Sequence, residues 1–531
     1  MTSQSANTKV ASRHPLTSLP VEIITKIFSN LVPDVLPTDF KDREEYDDEE
    51  NGWRVPSVED AAGRDALRSL CQVSKICHAI AGPLLYRNIA ISTTAQAFQL
   101  FFGILMNDMG HHVKNFAFIL LDDAVGEYPD PTTFDAYEIC LTNRDLRRKV
   151  ERLHAYLLSD DIDEEQIMSP HFLAHVIMLS VGMMPRGEDV FLSLPRPNDT
   201  RFEPIEGVAL PDMSSQDMQP VGPWKSVRLQ AHTTFSRGTR DAAFLLLPFA
   251  AKATRIEIYD EYWNCQGIQK VIERGELERT NVQQFEEIDL HIGARNIAWL
   301  TTLLEASIKL KTLTLGFNYC GGAEPDPELD SVLLPAADKV ESLNMYMIGR
   351  PGFDIPATAS LPSFLSLKNL AIDLPLLWGN AFADNPTKTP NIARMLPQSI
   401  QTLTLRERLY DGVMADIFMN KNLAQTYNKW MAKSVVELWH DCHVGGLPEL
   451  RKLHLNLYDS YKFSRRFPEE NMVTLRGLFQ TAGVSLHWSW YHDQTLHQQK
   501  RFRKPNKWTN KPVKKVWNNH EFRPDDVCDC C

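Results

Sequence analysis

The sequence predicts an α/β chain in which a small helical module precedes a long array of parallel β-strands. Two apolar segments with helical spacing lie near the N-terminus, at residues 16–31 and 67–85. From residue 113 onward, a short apolar pattern with the alternation of a β-strand recurs with a loose period of about thirty residues. The segments between the copies would pack behind the strands, so we expect a solenoid with a parallel sheet on its inner face.

The first apolar segment carries the signals of a helix start. Thr17 and Ser18 can cap the helix, and Pro20 is tolerated because the first turn has no hydrogen-bond donor to lose. The apolar residues of this segment recur at helical spacing: Ile23, Ile24, Ile27, Phe28 and Leu31. The second segment shows a similar face: Leu67, Leu70, Cys71, Val73, Cys77, Ile80 and Ala81. Two short amphipathic helices cannot bury both faces alone, so we expect this module to dock a partner.

These residues resemble the F-box, whose pattern is LPxEhhxxIFxxL followed by a helix of the form LxxhxxVCxxhxxha, where h is apolar. The first half corresponds to LPVEIITKIFSNL at residues 19–31, and the second to LRSLCQVSKICHAIA at residues 67–81. The LLYRNI sequence at residues 84–89 is similar to fungal F-box proteins in particular. The resemblance implies a surface for a Skp adaptor that consists of Leu19, Pro20, Ile23, Ile24, Ile27, Leu31, Leu70, Val73 and Ile76.

The chain departs from the family pattern between the two halves, where an insert at residues 33–64 replaces a short turn. Eight acidic residues lie in the window 39–50, with only Phe40 and Tyr46 to bury. We therefore expect this window to be a solvated loop without a core of its own. The predicted organisation is a disordered N-terminus at 1–13, an F-box at 14–90, a repeat array at 91–495 and a tail at 496–531.

The recurring strand pattern is an apolar residue, two spacers, an apolar residue, one spacer and an apolar residue. The middle residues of the clear copies follow one another in steps of 25 to 33 residues, with one step of 50 that we assign to a helix at residues 423–439. The array resembles degenerate leucine-rich repeats, as found in fungal F-box proteins. Residues 113–118 form an early copy, 484–486 a possible last one, and 190–194 a possible further strand. The clear copies are Trp224-Val227-Leu229, Ala253-Ile256-Ile258, Phe285-Ile288-Leu290, Leu310-Leu313-Leu315, Val340-Leu343-Met345, Leu367-Leu370-Ile372, Ile400-Leu403-Leu405 and Leu450-Leu453-Leu455.

Spacer residues inside each strand point away from the core, because side chains alternate between the two faces of a strand. Stacked strands would align these spacers into a ladder on one concave surface. Aromatic side chains dominate binding energies, so we expect Tyr259 and Tyr346 to anchor a target protein there. A merely solvated face is the alternative at any single position. The predicted target-binding residues are Arg228, Glu257, Tyr259, Asp289, His291, Asn344, Tyr346, Asp373, Arg406 and His454.

The sequence gives little support to catalysis. It contains no G-x-x-x-x-G-K-[ST], G-x-G-x-x-G, G-x-S-x-G or H-E-x-x-H motif, and we expect neither an active site nor a cofactor. His440-Asp441-Cys442-His443 is the strongest metal candidate, but adjacent side chains point apart and no second ligand pair stands out, so we expect no metal. The terminal Cys528-Asp529-Cys530-Cys531 fits prenylation motifs poorly; we favour a frayed tail, with metal binding or lipidation as alternatives.

Charge and composition restrict the compartment and the partners. The net charge of −12 argues against a general nucleic-acid binder, and the basic stretch at residues 500–515 is expected to be a solvated tail, with nuclear localisation or an acidic partner as alternatives. No window reaches the 18 apolar residues of a membrane span, and the N-terminus lacks the apolar region of a secretory signal. The nine cysteines have no disulfide-framework spacing, so we expect a cytoplasmic or nuclear protein.

The resemblance implies a non-catalytic subunit of a Skp–cullin–F-box ubiquitin ligase. The F-box would bind the Skp adaptor and, through it, the cullin–RING ligase, while the repeats would hold a target protein. The alternative is a scaffold or regulatory interaction protein that uses an F-box outside any ligase. The identity of the target, and any dependence of its binding on phosphorylation or a small molecule, stays open.

Overall fold

The structure is a computed structural model that describes part of the 531-residue chain. The described residues are 19–32, 58–91, 94–107, 109–119, 176–177, 180–194, 224–231, 252–260, 282–293, 297–318, 329–348, 357–379, 385, 387–407, 421–458 and 469–491. Four predictions lie outside them: the disorder of residues 1–13, the helix cap by Thr17 and Ser18, the solvated loop at 39–50, and the tail at 496–531 with its frayed end at 528–531.

Three helices form the N-terminal module: α1 spans Val21–Ser29, α2 spans Val58–Val73 and α3 spans Lys75–Leu85. The second segment was predicted as one helix over residues 67–85, which is wrong in two respects. The chain breaks at Ser74, because the Ser74 hydroxyl accepts a hydrogen bond from the Cys77 backbone N–H at 3.1 Å and so caps α3. In addition, α2 begins within the predicted insert at residues 33–64.

Pro20, rather than Thr17 or Ser18, is the N-terminal cap residue of α1. Its extended backbone (φ −55°, ψ 143°) precedes the helix, and its carbonyl accepts the N–H groups of Ile23 and Ile24 at 3.0 and 3.1 Å. The side chain of Pro20 makes no hydrogen bond at this cap, and the predicted cap residues Thr17 and Ser18 lie outside the described residues. The helix starts one residue after the proline because the fixed φ of proline already suits a helix start.

The module has a small core of its own. It contains Ile24 and Phe28 from α1, Leu67 from α2, and Cys77, Ala81 and Leu84 from α3. Close packing between α1 and α2 depends on Gly63, since a Cβ atom there would lie 2.5 Å from the Leu31 carbonyl oxygen. A glycine in α2 therefore allows the two segments to approach each other.

Two residues separate α3 from a sheet that has twelve strands in the described part of the chain. Adjacent strands are parallel, and their order in space is their order in the sequence. The first strand, β1, crosses the domain boundary predicted after residue 90 and was missed, although Tyr86, Ile89 and Ile91 follow the strand pattern. The strands are β1 (Asn88–Ile91), β2 (Asn115–Ile119), β3 (Asp189–Leu194), β4 (Ser226–Ala231), β5 (Arg255–Asp260), β6 (Glu287–Gly293), β7 (Thr312–Asn318), β8 (Ser342–Ile348), β9 (Asn369–Asp373), β10 (Thr402–Arg406), β11 (Lys452–Tyr458) and β12 (Ser485–Tyr491).

All eight clear copies of the strand pattern are confirmed as strands, β4 to β11, and the early, possible and last copies are β2, β3 and β12. One apolar core runs along the sheet, and the middle residue of every clear copy is at most 3% exposed. The predicted helix at residues 423–439 is confirmed within a longer helix between β10 and β11. The remaining helices described here are α4 (Thr94–Asn107), α5 (Ala298–Ala306), α6 (Leu329–Leu333), α7 (Leu374–Trp378), α8 (Lys421–His443) and α9 (Glu469–Thr481). Across the described ranges, no helix is long and apolar enough to cross a membrane.

The residue just before each strand holds the next strand in register. For example, the Lys311 carbonyl accepts both the Glu341 and the Ser342 N–H groups, at 2.8 and 3.0 Å. The same double acceptance occurs at Arg87, Lys114, Glu188, Lys225, Thr254, Glu286, Glu341, Lys368 and Gln401. In most copies this residue is the first spacer of the sequence pattern, a position to which the sequence analysis assigned no role.

Side chains at the same positions alternate in charge along part of this row. Lys114 lies 2.6 Å from Glu188, Lys311 lies 2.8 Å from Glu286, and Lys368 lies 2.7 Å from Glu341. All of these side chains are more than a third exposed, so each pair contributes little to stability. The pairs favour one strand order over others more than they stabilise the sheet.

We predict that Gly63→Ala destabilises the helical module by about 1–3 kcal/mol, because the added methyl group would collide with the Leu31 backbone. Hydrogen exchange of the α2 and α3 amides in the full chain measures this locally. Gly82→Ala is the matched control, since a Cβ at that helical position would meet nothing within 4 Å. The control should keep or raise protection, by up to about 1 kcal/mol from helix propensity. Equal losses of protection in the two variants would contradict the tight contact.

Candidate functional site

The helical module exposes an unusual share of apolar surface. Half of the twelve large apolar side chains that are exposed among the described residues belong to it: Leu19, Val21, Ile23, Ile27, Val73 and Ile76. Ile23 and Ile27 are one turn apart on α1 and therefore lie on the same side of it. Such exposed apolar groups are typical of a surface that another protein covers.

The nine predicted adaptor-binding residues divide into surface and core. Six are exposed: Leu19, Pro20, Ile23, Ile27, Val73 and Ile76. Ile24 is 1% exposed and belongs to the core of the module, so it cannot be a surface residue. Leu31 and Leu70 are half-buried and pack against the same core. Val21 is a further exposed apolar residue that was not predicted to belong to this surface: its side chain is 55% exposed, and its position at the start of α1 was the signal for it in the sequence.

The predicted ladder of spacer residues is confirmed in its register. Arg228 of β4 faces Glu257 of β5, and the row continues through Asp289, Thr314, Asn344, Ala371, Thr404 and His454. In the second row Gln230, Tyr259 and His291 are neighbours, and so are Asp373, Arg406 and Asn456. Residues from distant parts of the sequence thus share one face of the sheet.

The expected exposure of this ladder is wrong for most of its charged members. Six predicted target-binding side chains are at most 8% exposed: Arg228, Glu257, Asp289, His291, Asp373 and Arg406. Asn344, Tyr346 and His454 are half-buried, and the side chain of Tyr259 lies outside the description. The buried charges are tolerated because they lie beside groups of opposite charge and polar groups within the same rows.

The buried pair of Arg406 and Asp373 joins three strands. The Arg406 Nε donates to Asp373 Oδ1 at 2.7 Å, and its Nη2 donates to the Met345 carbonyl at 2.8 Å. The other Asp373 oxygen, Oδ2, accepts the Met347 N–H at 2.8 Å. Because both partners bind the backbone of β8 as well as each other, the pair fixes β8, β9 and β10 relative to one another.

A second group of charges lies on β4, β5 and β6. Glu257 Oε2 is 3.3 Å from Arg228 Nε and 3.4 Å from Arg255 Nη2, so one carboxylate lies between two guanidinium groups. The Arg255 Nε lies 3.5 Å from Glu287 Oε1 on the next strand. These contacts connect side chains of three consecutive strands on the face opposite the apolar core.

Tyr346 links the two groups of charges. Its hydroxyl is hydrogen-bonded to His291 Nε2, which also lies 3.9 Å from Asp289 Oδ1. The Tyr346 ring faces the guanidinium of Arg406, with 5.6 Å between the guanidinium carbon and the ring centre. Replacement of Tyr346 would therefore disturb the buried row, and a loss of target binding by that variant would not by itself indicate a direct contact.

The ladder ends in histidine, serine and asparagine side chains at β11 and β12. His454 faces His487, and the Ser489 hydroxyl lies 3.2 Å from His454 Nε2. Burial, and then the nearby His487, lower the pKa of His454. The second strand of this pair, β12, exposes His487 to solvent.

The His440–His443 cluster at the end of α8 has the features of a helix end rather than of a reactive site. Cys442 is 9% exposed, and burial followed by the charge of Asp441 raises the pKa of its thiol to about 11. A reactive thiol needs a lowered pKa. His440 and His443 lie beside the Trp439 ring, at centroid distances of 6.4 and 5.7 Å. In the described part of the chain, no group of three or more His, Cys, Asp or Glu residues is placed to hold a metal ion.

Comparison with known proteins gives no assignment: no protein-family model matches the chain, and no curated protein matches it. A functional conclusion therefore has to come from the residues themselves and their arrangement.

We predict that Arg406→Met lowers the stability of β8 to β10 by about 3–5 kcal/mol, because it leaves the Asp373 carboxylate buried without its cation. Hydrogen exchange of peptides from these strands measures the loss. Lys368→Met is the matched control, since Lys368 directly precedes β9 and its pair with Glu341 is about half exposed and contributes little to stability. The double variant Asp373→Leu/Arg406→Met should recover much of the loss, since no charge is then left unpaired. A small effect of Arg406→Met, equal to that of the control, would show that the buried pair is not important for stability.

Proposed function

We propose that this protein is a substrate-recognition subunit of a Skp–cullin–F-box ubiquitin ligase. In this proposal α1, α2 and α3 form an F-box that binds the Skp adaptor. The parallel sheet and its helices form an irregular leucine-rich-repeat solenoid that binds the target protein. The adaptor connects the chain to the cullin and RING subunits, which bring the conjugating enzyme.

One observation is the main support for the proposal: the LPxEhhxxIFxxL pattern lies on a segment that has a buried apolar side and an exposed apolar side. Within the pattern, Ile24 and Phe28 are buried in the module, whereas Leu19, Ile23 and Ile27 are 39–45% exposed. Apolar residues that served only the core of the module would all be buried. The exposed set instead supports a protein partner, since burial of an apolar side chain is favourable by about 1.5–3 kcal/mol when complete.

The attachment of the module to the sheet supports a positioning role. α3 is separated from β1 by two residues, and the Arg87 carbonyl between them accepts the Lys114 and Asn115 N–H groups of the next strand. The guanidinium of Arg64 in α2 also donates to the Asn88 carbonyl at 3.4 Å. A receptor that holds a target at a fixed distance from a reactive thioester raises the effective concentration of the target lysines.

Target binding by the repeats rests on the resemblance and on the shared face of the ladder. With six charged members buried, three of the predicted target-binding residues whose side chains are described retain accessible surface: Asn344, Tyr346 and His454. We assign the initial contact with a target to these residues, with the buried charges as their rigid support.

We predict that Ile23→Asp/Ile27→Asp raises the Kd for a purified Skp adaptor by at least about 30-fold, equivalent to about 2 kcal/mol. The reason is that each carboxylate would be desolvated in an apolar interface. Both positions are exposed in the free chain, so circular dichroism and hydrogen exchange should show an intact module. Val473→Asp/Leu365→Asp is the matched control, because both residues are exposed and lie outside the module.

Unchanged adaptor binding by the Ile23/Ile27 variant, with the wild type binding, would refute the docking surface. Absence of adaptor binding by the wild type would refute the F-box assignment. Recovery of cullin and RING subunits with the full chain from cells would support the ligase role. Recovery of the adaptor alone would instead favour the scaffold alternative.

A further inference from the structure

The two outer edges of the sheet differ in their contacts with the rest of the described chain. At the β1 edge, the helical module lies against the strand, and Arg64 binds the Asn88 carbonyl at 3.4 Å. At the other end, β12 pairs with β11, and within the described ranges no strand pairs with its outer edge. An open strand edge is a template for another β-strand.

The register shows which backbone groups of β12 point outward. The Ser485 N–H donates to the Arg451 carbonyl at 2.8 Å, so Ser485 points its backbone groups toward β11. Backbone direction alternates along a strand, so the N–H and C=O groups of residues 486, 488 and 490 point away from β11. The outer edge therefore offers three donors and three acceptors in a regular row.

Edge strands in monomeric proteins are commonly blocked by lysine, proline or short length. β12 has none of these devices: it is seven residues long, SLHWSWY, without proline and without a lysine, arginine or carboxylate. Its central Trp488 is held in place from the helical side, with the Arg476 guanidinium 4.1 Å from the ring centre. The strand is thus ordered and free of charges that would repel a second strand.

We propose that two copies of this chain associate through their β12 edges, as an antiparallel strand pair with a two-fold axis at Trp488. This axis places residue 488 opposite itself and residue 486 opposite residue 490. All three positions point their backbone groups outward, so each pair exchanges two hydrogen bonds, about six in total. In this register, residues whose side chains lie on the apolar face pair with residues on the same face of the partner. The apolar face of one sheet therefore continues into that of its partner.

A second copy suits this edge better than an unstructured peptide. It presents the same strand already ordered, whereas a peptide loses backbone entropy at each residue that it fixes. Around the axis, His487 of one protomer lies opposite Ser489 of its partner, so like charges do not face each other. The C-terminal ends of the two strands point in opposite directions and lie roughly 20 Å apart.

Analytical ultracentrifugation of the full chain tests the proposal. We expect a concentration-dependent dimer with twice the monomer mass of 60.6 kDa. Concentrations up to about 100 µM are needed, since a single strand pair buries a small interface. His487→Lys/Ser489→Lys should be monomeric, because the antiparallel register then places lysine opposite lysine twice. His487→Asp/Ser489→Asp should be monomeric for the same reason.

An equal mixture of the lysine and aspartate variants should restore the dimer, since each lysine then faces an aspartate. Asn471→Lys/Gln480→Lys is the control, because it adds the same charge at exposed positions of α9 outside the edge, and it should dimerise like the wild type. A monomeric wild type at 100 µM overturns the proposal, as does a dimer that persists in the lysine variant. A mixture that stays monomeric excludes this register and overturns the proposed axis.

Discussion

The structure depends on the hydrogen-bond connection between the start of one strand and the start of the next. From Arg87 to Gln401, the carbonyl before each strand accepts two N–H groups of its neighbour, which sets every register at the same point. A shift of the strand register by one residue would move the side chains of the shifted strand to the opposite face of the sheet. Leu313 and Leu343 would then leave the core, and the polar rows that contain Asp289 and Asn344 would enter it. Burial on both faces of the sheet therefore depends on this one repeated backbone contact.

The apolar pattern was sufficient to predict the strands because each copy places two residues on the same core face. It failed at β1 because Tyr86, Ile89 and Ile91 fit the pattern, but the predicted boundary after residue 90 assigns Tyr86 and Ile89 to the helical module and separates them from Ile91. At β3 the pattern was weak because Gly187 occupies an apolar position. A Cβ there would lie 2.3 Å from the Trp224 ring, so the neighbouring tryptophan fills the space. When a side chain from a distant part of the sequence fills the place of a missing apolar residue, the local sequence pattern does not show it.

The candidate sites were predicted less completely than the fold, because periodicity identifies a face but not what lies over it. Arg228, Glu257 and Arg406 were placed correctly on the face opposite the core, yet they are buried. On α1, helical spacing grouped Ile23, Ile24 and Ile27 together, whereas the structure directs Ile24 inward and leaves the other two exposed. Adjacent positions on one helix differ by about 100°, and only the packing partner decides which of them becomes core.

The buried charges explain how parallel strands that are irregularly spaced in the sequence can keep one order in the sheet. Leucine-rich cores tolerate many packings of similar energy, but a buried carboxylate such as Asp373 is stable only where Arg406 and the Met347 N–H surround it. Alternative registers would leave these charges unpaired and are therefore disfavoured, even if the native pair adds little to stability itself. The charged row thus acts as a constraint on strand order. Since the helical module is joined to the first strand of the same array, the constraint extends from the proposed docking face to the proposed target-binding face.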